Sequence, residues 1–140
     1  MQSPLFTPAK NGYLLFADAN DNEPVLPDYT RGVPKGIGFT RKKPPVWFEW
    51  VPIRIRAMVA ANIALLVAGV PDVVERVDPM AAFDGRSGGV LRVVSKTDGK
   101  KLAEYKLDSP PVFDGMAAAA GRLYLSTRDG KVTCMAESGA

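Results

Sequence analysis

Apolar and polar residues alternate with a period of two through much of the chain. Ile53 and Ile55 alternate with Arg54 and Arg56, and Leu102, Glu104 and Lys106 alternate with Ala103, Tyr105 and Leu107. A period of two sends successive side chains to opposite faces, which predicts β-strands rather than helices. Turn residues separate the runs: Thr97-Asp98-Gly99-Lys100 lies between residues 90–95 and 102–107, and Arg128-Asp129-Gly130 between 123–126 and 132–135. Asp-Gly between alternating runs signals a hairpin, because glycine reaches the positive φ that tight turns require. Pro52 and Pro110 mark strand ends, where a missing amide donor does least harm.

The pattern is written more than once. Ala57-Met58-Val59-Ala60-Ala61 with Leu65-Leu66-Val67-Ala68 returns ungapped, 58 positions on, as Gly115-Met116-Ala117-Ala118-Ala119 with Leu123-Tyr124-Leu125-Ser126. Leu5-Phe6 and Lys10-Asn11-Gly12 stand 118 positions, about two periods, before Leu123-Tyr124 and Arg128-Asp129-Gly130. On this frame residues 1–51 form a partial unit with strands near 4–8, 13–18 and 46–51 and an irregular insertion at 19–45. Residues 52–107 form a complete unit with strands at about 56–61, 63–69, 89–95 and 101–107 and a long loop at 70–88. Residues 108–140 form a unit with strands at about 115–120, 122–127 and 131–137 that lacks its fourth. Recurring four-stranded antiparallel units predict an all-β fold of β-propeller blades, here about two to two and a half of them, where a closed ring has typically 4–8. The expectation is the C-terminal portion of a larger propeller, or a short relative that covers its open sheet edges with missing blades or by self-association.

Residues 89–105 and 121–132, with their Thr-Asp-Gly-Lys and Arg-Asp-Gly-Lys turns, resemble the C-terminal blades of PQQ-binding-like (pyrroloquinoline-quinone-like) β-propeller repeat proteins, and the stretch 53–137 is especially similar to large bacterial members found in planctomycetes and their relatives. The resemblance implies a periplasmic, envelope or secreted setting. Quinoprotein members repeat the pattern Ala-x-Asp-x-x-Thr-Gly-x-x-x-Trp, whose tryptophan locks neighbouring blades. Anchored on Gly99, that pattern finds Val93, Ser95, Asp98 and Ala103 in place of its alanine, aspartate, threonine and tryptophan. Other relatives with such weak repeats are binding or scaffold propellers, among them a periplasmic outer-membrane assembly lipoprotein.

Composition narrows the chemistry. The 140 residues are 46% apolar and 24% charged, the balance of a soluble globular protein. Histidine is absent, which removes the commonest general base near neutral pH and any zinc site needing imidazole. The lone Cys134 reads as a packed strand residue rather than a nucleophile. The net charge is +3, and the one dense basic run, Arg41-Lys42-Lys43, reads as a solvated linker, not a nucleic-acid surface. The apolar run 57–70 contains Asn62 and falls short of the ~20 residues a membrane helix needs, so no transmembrane segment is expected. The N-terminal residues carry no basic and apolar pair of regions that would read as a secretory signal.

Antiparallel order would bring the loop after a second strand and the link after a fourth to one end. That end gathers Asp72, Glu75, Asp78, Asp84 and Arg86 from the long loop, Asp108 and Asp114 from the following link, and Arg128 from its hairpin. Carboxylates beside arginines suit Ca²⁺ or an anionic ligand; they equally suit solvated charges and turns, Asp84-Gly85 and Asp114-Gly115 above all. Trp47, Phe48 and Trp50 read as packing between sheets rather than a sugar platform, since alternation separates Trp47 from Phe48. Met58 and Met116, at equivalent positions, read as core. The functional expectation is a non-catalytic binding or interaction platform for a protein or glycan. The alternatives are a fragment of a PQQ- and Ca²⁺-dependent alcohol or sugar oxidoreductase, and a short gene product with no independent role.

Overall fold

The computed structural model describes residues 12–23 and 42–136. The expected strand at 4–8 and most of the expected insertion lie outside the described residues. Within them the chain forms β1 (Tyr13–Ala17), β2 (Trp47–Val51), β3 (Ile53–Ala60), β4 (Ala64–Pro71), a one-turn helix α1 (Ala81–Asp84), β5 (Gly89–Ser95), β6 (Lys101–Leu107), β7 (Pro111–Ala119), β8 (Arg122–Thr127) and β9 (Val132–Ala136). These make three antiparallel sheets, in the orders β1-β2, β3-β4-β5-β6 and β7-β8-β9. The period-two segments are strands, Pro52 is the single-residue joint between β2 and β3, and Pro110 immediately precedes β7. The helix departs from the expected irregular loop. It forms because Ala81 and Ala82 bury themselves and Gly85, in the left-handed region, closes the turn by donating to the Ala81 and Ala82 carbonyls.

The 58-residue repeat is visible in the strand register. Met58 faces Val67, Val59 faces Leu66 and Ala60 faces Leu65 across β3 and β4; Met116 faces Leu125, Ala117 faces Tyr124 and Ala118 faces Leu123 across β7 and β8. A slip of one residue would turn every side chain to the other face, so the shared register makes equivalent residues point the same way. The third strands follow suit, with Leu65 opposite Val94 and Leu123 opposite Met135.

The four-stranded sheet lies between the other two. On one side Leu15, Trp47 and Val51 pack against its Val67 and Val94, with Ile55 and Leu65 alongside. On the other, its Ala68 and Leu91 pack against Leu123 and Leu125, with Leu66, Met116 and Met135 alongside. Strand β4 therefore sends Leu65 and Val67 into one core and Leu66 and Ala68 into the next. That two-sided burial explains why residues 57–70 read as one apolar run: they are a hairpin in the middle layer. Among the described residues, no helix is long and apolar enough to cross a membrane.

One contact fixes the first interface. Trp47 is 8% exposed and donates its indole N–H to the Lys96 carbonyl at 2.7 Å. Its ring covers Gly99 in the β5–β6 hairpin, where φ is +75° and a Cβ would come within 2.5 Å of Trp47 Cε3. Phe48, on the opposite side of β2, is 38% exposed, so the expected separation of the two aromatics holds. Two packing expectations are corrected. Met58 is 54% exposed, because its face of β3 has no described strand opposite it. Cys134 is exposed, because it lies on the outward face of the last sheet.

Gly99→Ala is expected to destabilise by on the order of 2–4 kcal/mol, combining the positive-φ penalty with displacement of the Trp47 ring. Gly121→Ala, also at positive φ but with open space around it, serves as the control and should lose only about 1 kcal/mol. Denaturant unfolding of the two variants checks the difference; equal losses would remove the role given to Trp47.

Candidate functional site

Consecutive strands are antiparallel, so one end of the stack collects the starts of β1 and β3, the β4–β5 loop with α1, the β6–β7 link and the β8–β9 hairpin. Two arginine-centred groups form there. The first is built on Arg54, whose side chain is 16% exposed and pairs with Asp72, 7% exposed, at 3.2 Å. Arg54 also donates to the Tyr13 hydroxyl at 2.9 Å and lies over the rings of Tyr13 and Phe83, 5.5 Å and 5.1 Å from their centroids. One guanidinium thus ties β1, β3, the long loop and α1 together. Asp72 is spent in this contact and does not line the open surface.

The second group is exposed. Arg86 donates from Nε at 3.2 Å and from Nη2 at 2.9 and 2.7 Å to the Asp78 carboxylate, and from Nη1 to Asp84. These hydrogen bonds hold the Asp78 carboxyl below the usual carboxylate range and raise Arg86 further above its own. Ser87 donates to Glu75 across the same loop. Arg128 reaches in from the β8–β9 hairpin, donating Nη1 to the Asp84 carbonyl at 3.0 Å while its backbone N–H donates to the Pro110 carbonyl at 2.9 Å. Between them is an open cavity of about 270 Å³ lined chiefly by Asp84, Gly85, Arg86, Ser109, Pro110 and Arg128.

Of the residues expected at this end, the structure brings Asp78, Asp84, Arg86 and Arg128 together. Asp114 stands apart: it sits at φ +53° in the irregular stretch of β7 and does not line the cavity. Asp84-Gly85 ends α1, so its turn role holds. Sequence reading passed over Arg54 and Arg56 as ordinary alternation, although charges interleaved with Ile53 and Ile55 beside a buried strand were the available signal. Arg56 lies over the Phe113 ring at 5.5 Å, and its pKa is lowered by burial first and by the like charge of Arg128 second. Among the described residues no carboxylate forms an ion pair with Arg56 or Arg128.

The site does not fit Ca²⁺. That ion takes six to eight oxygens, whereas Asp78 and Asp84 both turn onto Arg86, and no group of three acidic, cysteine or histidine side chains gathers among the described residues. Arg128 at the cavity and Arg56 near it offer cationic chemistry.

Arg54→Ala is expected to cost about 3–5 kcal/mol, since it strands a buried carboxylate and unties four elements. Removing Asp72 with it should recover part of the loss, and thermal unfolding of the single and double variants measures this. The Arg86 clasp follows the opposite logic of exposure and should respond to acid rather than to temperature. Because Asp78 is lowered, the clasp is present above the ordinary carboxyl range and lost as pH falls through the lowered value, below about pH 4. Carboxyl ¹³C shifts should place the Asp78 midpoint lower in the native chain than in Arg86→Ala; coincident midpoints would refute it. Compared with family models, curated proteins and solved structures, the chain matches none of them.

Proposed function

We propose that the chain is a run of β-propeller blades of the PQQ-like type, serving as a non-catalytic binding platform whose loop end takes an anionic ligand, in a bacterial envelope or secreted setting. Support for blades comes from the stacked sheets and their shared register, and from Trp47. The strand ends align Val51 with Leu107, through their partners Tyr13 and Gly89, and so align Trp47 with Ala103. Trp47 thus stands where the resemblance expects a locking tryptophan, and it packs on the glycine of the neighbouring sheet.

The observation that carries the ligand reading is the charge imbalance at the cavity. Of the carboxylates that line it, Asp84 is engaged by Arg86 and Asp129 by Lys131, while Arg128 and the nearby Arg56 repel each other. An oxyanion placed between them would relieve that repulsion and accept from both guanidinium forks. A protein or glycan ligand bearing carboxylate or sulfate groups has the required chemistry.

Pyrroloquinoline quinone, itself a polycarboxylate, is the probe, titrated with and without Ca²⁺ by calorimetry. Saturable binding that needs no Ca²⁺ and weakens at least about tenfold in Arg128→Ala is the expected result. Ca²⁺-dependent binding with dye-linked alcohol or glucose oxidation would replace this reading with the oxidoreductase. Failure to bind the quinone, citrate or a sulfated oligosaccharide would remove the loop end as a ligand site.

A further inference from the structure

Strand β9 is an edge where the repeat expects an interior. Among the described strands it pairs with β8 alone, whereas its counterpart in the four-stranded sheet, β5, lies between β4 and β6. The equivalence follows from register: Leu66 faces Val93, and Tyr124, one repeat later, faces Cys134. Val132, Thr133, Cys134 and Met135 therefore stand where Leu91, Arg92, Val93 and Val94 stand in β5. No residue of β5 is exposed, but every residue of β9 except Met135 is. Thr133 shares its side of the sheet with the buried Leu125 and is exposed even so, because no described strand flanks it beyond β8.

The chemistry of this edge is unlike that of the edge next to it. The four-stranded sheet ends in β6, which carries Lys101, Glu104 and Lys106, all exposed. Charges on an edge strand resist pairing with another chain. Strand β9 reads Val132-Thr133-Cys134-Met135-Ala136, without a charge or a proline, and its ladder with β8 runs without a bulge. None of those guards is present. The same neutrality says what fits. Across β5 and β6, Arg92 is answered by Glu104 at 2.6 Å. Thr133, at the position of Arg92, calls for no such charge, so the matching strand is a neutral one.

A second β9 meets that requirement. Two copies laid antiparallel about Cys134 set Cys134 against Cys134, Val132 against Ala136 and Met135 against Thr133, so a larger side chain meets a smaller one on each face. In the sequence, Lys131 and Glu137 stand three positions before and after Cys134. Antiparallel order matches opposite charges at both ends, and parallel order would match like charges.

We propose that β9 pairs antiparallel with β9 of a second copy across a two-fold axis at Cys134, joining the two three-stranded sheets edge to edge. This rests on strand register and edge chemistry and not on the ligand reading of the loop end.

Sedimentation velocity of the full chain with reductant present, from about 1 to 200 µM, tests it over a range that brackets micromolar dissociation constants. Cys134→Lys places like charges at the axis and guards the edge as β6 is guarded, while Cys134→Ser keeps a small neutral residue there. Position 134 is exposed, and far-UV circular dichroism checks that the fold is retained. The expected result is a concentration-dependent dimer in the parent chain and in Cys134→Ser, with a dissociation constant raised at least about fivefold in Cys134→Lys. Mild oxidation without reductant reads the register. Directly opposed residues of antiparallel strands lie about 4.5–5.5 Å apart between Cα atoms, within reach of a disulfide, whereas position 132 in the two copies would be about 13 Å apart. Cys134 should therefore link copy to copy, and the double variant Val132→Cys, Cys134→Ser should not. A monomer across the range would overturn the proposal, as would a dimer indifferent to Cys134→Lys. Linkage through position 132 as readily as through Cys134 would overturn it too.

Discussion

Everything in this chain depends on the fact that β4 has no solvent face. A strand with Leu65 and Val67 on one side and Leu66 and Ala68 on the other is stable only when a sheet covers each side, since every buried apolar side chain contributes roughly 1.5–3 kcal/mol relative to exposure. The four-stranded sheet therefore cannot stand alone, and the flanking sheets are conditions for its existence. The two interfaces are made differently. The first has a large indole seated on a glycine and fixed by a hydrogen bond at 2.7 Å, and the second is a plain aliphatic contact of Leu91, Leu123 and Leu125. An indole with a directional anchor sets position and angle; aliphatic side chains set mainly distance.

Strand positions and the repeat were legible because they follow from period and turn chemistry, which are local. The β5–β6 hairpin at Thr97-Asp98-Gly99-Lys100 and the register of Met58 and Met116 are examples, since each depends on residues close in sequence. What depended on a neighbouring sheet was not legible. Met58 and Met116 occupy one repeat position, yet Met116 packs on the middle sheet while Met58 stays half exposed, because repetition fixes the direction of a side chain and not what lies opposite. Cys134 failed the same way: its strand placement was readable, its exposure was not.

The loop end shows a further limit. Sequence could gather Asp72, Asp78, Asp84, Arg86 and Arg128 at one end from strand direction alone, but it could not divide them. The division is made by Arg54, which sits inside an alternating strand and looks like a routine outward charge. Arg54 takes Asp72 into a half-buried network and Arg86 takes Asp78 and Asp84, so three of the loop's carboxylates are neutralised while Arg128 and Arg56 keep their charge beside the cavity. Net charge over the whole chain, at +3, gave no hint of this local balance.

Stacked sheets carry a constraint that single sheets escape. Each sheet has a leading and a following face, and interior packing makes those faces chemically different, as Arg92 and Glu104 on one side of the middle sheet and Leu66 and Leu91 on the other already show. A stack that ends in water should therefore have polar terminal faces, just as terminal repeats of solenoids carry a polar outer side. This chain has the reverse at its following end, where Val132, Tyr124, Cys134 and three alanines face outward around Arg122 and Ser126. A face of that composition costs free energy in water at every moment it is uncovered, and its register matches an interface that the chain itself completes twice. Among the described strands, the packing that builds the middle layer is thus left open on the outward side of β7, β8 and β9.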